Sequence, residues 1–128
     1  MLSRNKGAIP FLEQNQEKIN WSNLSLNLAI SPILGLLEKN LEKLAWTYLS
    51  KNPGAISLLE KNQDKIDWAW LSANPAAISL LEKNQDKIDW DWLSDNCKAM
   101  SLLENNLENI LWTNLSYNKI IKYLILFV

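Results

Sequence analysis

The chain has 128 residues, 48% apolar and 21% charged, a balance that suits one folded domain and is too rich in Leu, Ile and Trp for disorder. Thirteen basic and fourteen acidic side chains leave a net charge of -1 with the signs interspersed, which argues against a nucleic-acid partner because phosphate binding needs a surplus of Lys and Arg on one face. Histidine is absent and cysteine occurs once, at Cys97, so the commonest general base, the commonest metal ligand and an internal disulfide are excluded together.

Taken in order, the chain is a series of copies. NPGAISLLEKNQDKIDWAWLS from Asn52 returns as NPAAISLLEKNQDKIDWDWLS from Asn74, an offset of 22 residues. Carrying that register in both directions gives repeats 2–23, 24–48, 49–70, 71–92 and 93–114 and a truncated one at 115–128, a single repeat domain over 1–128. Leu opens each copy (Leu2, Leu24, Leu49, Leu71, Leu93, Leu115), Ser follows it, and Asn comes next but one (Asn5, Asn27, Asn52, Asn74, Asn96, Asn118). A second Asn recurs at Asn15, Asn40, Asn62, Asn84 and Asn106, and Trp recurs at Trp21, Trp46, Trp68, Trp90 and Trp112. The first repeat carries Pro10 inside its first helix, the second has three extra residues around Ser31 and Pro32, and Cys97 stands where Pro53 and Pro75 stand in the two central copies.

Within a repeat, Asn followed by Pro reads as a helix start: Asn accepts from the first-turn amides, and Pro occupies a position whose missing N–H costs nothing. From Asn74, the residues Ala77, Leu81, Gln85 and Ile88, with Ile78 alongside, make one apolar helical face interrupted at Gln85, a gap that Leu107 fills in the next copy. Asn84 tolerates the left-handed conformation that closes a helix, so the first helix ends there or continues to Ile88. Asp89 caps a second helix through Trp90, Trp92 and Leu93. The expected fold is therefore all-α: an α-solenoid of about five and a half 22-residue repeats, each a longer helix plus a short one, sharing a continuous core because neither helix buries its apolar stripe alone. A buried Trp such as Trp68 is expected to hide about 150–250 Å², and five stacked Trp to dominate the stability.

The tail from Asn118 to Val128 is apolar but falls short of the roughly 20 residues a membrane span needs. It reads as a terminal helix covering the last open face, with membrane association as the weaker alternative. Arg4 and Lys6 are followed by no apolar stretch, so no signal peptide is read, and an intracellular or virion location is expected.

The string NPxAIxLLEKNxDKIDWxxLS, carried most cleanly by Asn52 to Ser72 and Asn74 to Ser94, resembles the tandem repeat of many proteins of giant DNA viruses, the mimivirus-like group. The resemblance covers essentially the whole chain. It implies a viral origin, with the host cytoplasm or the virion as location, and a repeat architecture; it supplies no catalytic residue. The leucine-rich variant repeat, which also alternates a long with a short helix, is similar at the level of fold alone.

No catalytic residue, cofactor or metal site is expected. Carboxylates recur at Glu60, Asp64 and Asp67 and at Glu82, Asp86 and Asp89, each set beside lysines, whereas a catalytic pair needs one singular environment that separates two pKa values. They read as a solvated, mixed-charge face. The Asn positions read as caps or as stacked side chains bonding neighbouring backbone, so Asn74→Ala is expected to lower stability without abolishing partner binding.

Variation between copies concentrates at the residue after the opening Leu-Ser pair and at the two residues after the recurring Trp. Trp70 and Trp92 lie two residues beyond Trp68 and Trp90, so one of each pair faces away from the other. These second aromatics either pack against the adjoining repeat or form a binding stripe. The contact face is placed along Lys51, Ala69, Trp70, Ala73, Asp91, Trp92 and Asp95. The expected role is a non-catalytic scaffold for a protein partner; the alternative is a structural virion component, a minor capsid or cement-like protein.

Overall fold

A computed structural model describes residues 8–109, and these are all-α, with no strand among them. The expected rungs at Leu2, Asn5, Trp112, Leu115 and Asn118 and the apolar tail lie outside the described residues. In chain order the helices are α1 (Ala8–Gln14), α2 (Trp21–Ser25), α3 (Leu34–Glu38), α4 (Trp46–Lys51), α5 (Ile56–Lys61), α6 (Trp68–Ser72), α7 (Ile78–Glu82), α8 (Trp90–Ser94) and α9 (Met100–Glu104). Each first helix is followed by a 3-10 turn, at Gln16–Lys18, Leu41–Lys43, Gln63–Lys65, Gln85–Lys87 and Leu107–Asn109.

The first helix of a repeat is the longer one only in the first and third copies. Its α-helical part has 7 residues in α1, 5 in α3, 6 in α5 and 5 in α7, against 5 in α2, 6 in α4, 5 in α6 and 5 in α8. The second Asn cuts it short. In a continued α-helix the Asn84 backbone N–H would reach the Leu80 carbonyl; instead it donates to Leu81 O at 3.0 Å, and the side-chain amide takes Leu80 O at 2.9 Å. Asn15, Asn40, Asn62 and Asn106 make the same side-chain bond to Phe11, Leu36, Leu58 and Leu102 at 2.8–2.9 Å. This closure needs no left-handed residue: Asn84 has φ -134 and ψ 48, and no described residue has positive φ.

Because the α-helix stops there, the apolar face is Ala77, Leu80 and Leu81, with Ile88 arriving from the following extended segment. Gln85 is exposed, and Leu107, expected to fill its place, is 45% exposed on its 3-10 turn. The core is built from repeated positions: Leu58–Leu59, Leu80–Leu81 and Leu102–Leu103, the alanines Ala55, Ala77 and Ala99, and the opening leucines Leu49, Leu71 and Leu93. Trp21, Trp46, Trp68 and Trp90 are half-buried, not core, so the aliphatic pairs carry the packing that was expected of the indoles.

The chain divides into two compact units, Met1–Ile66 and Asp67–Val128. In the first, α2 packs against α4, and α4 against α5 and the Pro53–Ala55 turn; in the second, α6 packs against both α7 and α8. The same two polar latches recur in each unit, and the Asn latch joins adjacent repeats. Asn52 donates from its amide to Ser25 O and Asn27 O, both at 2.8 Å, while its Oδ1 accepts from Gly54 N at 2.9 Å. Asn96 donates to Ser72 O at 2.9 Å and Asn74 O at 3.0 Å and accepts from Lys98 N at 3.1 Å. The serine latch is as regular: Ser25 and Ser72, both fully buried, donate to the Trp carbonyl one turn back and accept from the Ala45 and Asp89 backbone amides at the start of the following Trp helix. Each Asn is thus cap and inter-repeat tie at once, and buried polar atoms are satisfied by the neighbouring copy.

Candidate interaction surface

Six of the seven positions placed on the contact face lie in the second compact unit, on α6 and α8 and the residues that close them. Asp67 and Asp89 start these helices by accepting from Trp70 N at 3.4 Å and Trp92 N at 3.1 Å, as their spacing predicts. With both helices capped at the same position and packed side by side, the second aromatics meet: the Trp70 and Trp92 ring centroids are 4.8 Å apart, with planes inclined at 44°. That separation is within the range of favourable aromatic pairs. Trp70 is half-buried and Trp92 is 38% exposed, so the rings pack across repeats and still leave an aromatic surface open.

Of the remaining positions, Asp95 is exposed and Ala69, Ala73 and Asp91 are half-buried. Lys51 belongs to the first unit. It is exposed at the end of α4 and, with Leu26, Leu28, Tyr48, Asn52 and Pro53, lines an apolar notch of about 200 Å³. Leu26, Leu28 and Tyr48 are 47%, 65% and 42% exposed, an apolar concentration that the sequence reading passed over. The signal was available: Leu26 stands at a variable position and Leu28 stands where the central copies have Pro.

The lysines of the mixed-charge face are not all simply solvated. Lys43, Lys65 and Lys87 lie over the rings of Trp21, Trp46 and Trp68 at 5.3, 5.8 and 4.9 Å, each reaching back to the Trp of the preceding repeat. The half-exposed indoles are therefore roofed by lysine stems and ammonium groups, a cation–π arrangement worth about 0.5–1 kcal/mol per pair at exposed sites. Among the described residues no three His, Cys, Asp or Glu side chains come together as a metal site would require. No described helix is long and apolar enough to cross a membrane. Comparison with protein-family models, with curated proteins and with solved structures finds no match.

Proposed function

We propose that this chain is a non-catalytic α-solenoid of 22-residue repeats, from a giant virus, that presents its α6–α8 face to a protein partner. The carrying observation is the Trp70–Trp92 pair, an aromatic surface left 38% open at Trp92 and borne on helices whose supporting positions do not vary between copies. Buried Leu, Ser and Asn recur unchanged beneath it, while Ala69, Ala73, Asp91 and Asp95 differ from their counterparts in the other repeats. An invariant frame under a changing exposed surface is how repeat scaffolds separate stability from specificity.

The test is capture of partners from host cells by the tagged full chain and, in parallel, by the Trp70→Ala/Trp92→Ala variant. The variant is expected to keep its helical circular dichroism and to lose the captured proteins. A folded variant that retains every one of them would remove the α6–α8 face from consideration.

A further inference from the structure

Resting on that reading of the α6–α8 face, we infer that its partner offers an arginine- or lysine-bearing segment, with the cation seated on the exposed part of Trp92, near the carboxylates of Asp91 and Asp95. The strips 67–74 and 89–97 contain Asp67, Asp89, Asp91 and Asp95 and no Lys or Arg. Two of those aspartates are engaged in capping, through Trp70 N and Trp92 N. Asp91 and Asp95 make no ion pair among the described residues, and they stand one helical turn apart on either side of Trp92 in the chain.

The molecule shows what its indoles take. Trp21, Trp46 and Trp68 each hold a lysine at 4.9–5.8 Å, whereas no cation lies over Trp92 among the described residues. Trp92 is instead held by its ring contact with Trp70 and keeps 38% of its surface exposed. A cation there gains the exposed indole together with the negative potential of two carboxylates on the same short helix and its C-cap. The other occupants fit less well: a phosphate-bearing nucleic acid or anionic membrane meets repulsion from Asp91 and Asp95, and a purely apolar segment strips water from both without replacing it.

The experiment is selection from a random peptide library on the full-length chain, with Asp91→Asn/Asp95→Asn and Trp92→Ala as parallel baits. Wild type is expected to enrich peptides carrying Arg or Lys. Titrated individually, these peptides should weaken by about two- to fivefold on Trp92→Ala and by about twofold or more on the double Asn variant. The Asn variant should melt as wild type does, so its weakened binding reports lost charge and not lost structure. Peptides that need Trp92 yet show no excess of Arg or Lys, or that bind the Asn variant undiminished, overturn the cationic chemistry and leave the interaction face standing. Failure to select any peptide that depends on Trp92 overturns both.

Discussion

Asn52 is 4% exposed and makes three bonds from one side chain, two as donor to carbonyls of the preceding repeat and one as acceptor at its own helix start. Asn52→Ala removes all three and takes the amide donor away from the Ser25 and Asn27 carbonyls, a loss of about 2–4 kcal/mol. Asp separates the two roles: it retains the acceptor for Gly54 N but turns oxygens toward Ser25 O and Asn27 O. Asn52→Asp should therefore lower the melting temperature at neutral pH at least as far as Asn52→Ala; a variant as stable as wild type would show that the cap alone matters. Capping and cross-repeat bonding were both legible from Asn recurring beside Pro. The serine was not. Its hydroxyl serves the preceding turn and the start of the following Trp helix together, and recurrence beside a core Leu does not by itself distinguish a buried latch from an exposed neighbour.

Among the helices, two glycines with opposite constraints separate propensity from packing. Gly35 lies in α3 with open space where a Cβ would go, aligned with Ser57 and Ser79 of later repeats. Gly35→Ala should stabilise by about 0.5–1 kcal/mol by relieving the entropy that glycine loses on entering a helix. Gly54 sits against the Leu28 carbonyl, closer than any Cβ allows. Gly54→Ala should destabilise by about 1–3 kcal/mol, since backbone has to move. Ala76 and Lys98 fill the aligned positions, so the demand for glycine comes from the segment after Asn27, where the second repeat differs from its neighbours. Thermal melts of the two variants, at about 3–5 °C per kcal/mol, should move in opposite directions; a shift of the same sign in both would refute this account. Element type and the caps at Asp67 and Asp89 followed from the sequence because short-range spacing decides them. The close of the first helix at Asn84 is one of two readings the spacing leaves open; the other, continuation through Gln85 to Ile88, fails because the Asn84 side chain takes the carbonyl that would have continued the helix. Leu107 and the half-buried Trp were misplaced for related reasons: a 3-10 turn re-aims the first, and a lysine roof keeps the wide indole near the surface in place of full burial.

At the scale of the whole molecule, no described helix exceeds the 7 residues of α1, well under the roughly 12–15 that an isolated helix needs in water. Local propensity thus cannot hold any one repeat. What holds it comes from the copy beside it: in the second unit, Asn96 is bonded to the Ser72 and Asn74 carbonyls, and α6 gains its aromatic contact from α8. A 22-residue peptide covering 71–92 would retain its Leu80–Leu81 pair but would lose the donor that Asn96 brings to the Asn74 carbonyl and the ring that Trp70 sets against Trp92. Conformational entropy of about 1–2 kcal/mol per residue then goes unopposed. Such a peptide should give a coil-like far-UV circular dichroism spectrum under conditions where the full chain is helical. A peptide spanning 49–114 restores flanking copies on both sides and should recover helical signal out of proportion to its added length, the mark of nearest-neighbour stabilisation. If the single-repeat peptide is already helical in dilute solution, with ellipticity per residue equal to that of the longer one, each copy stands alone and the cross-repeat latches are incidental to folding.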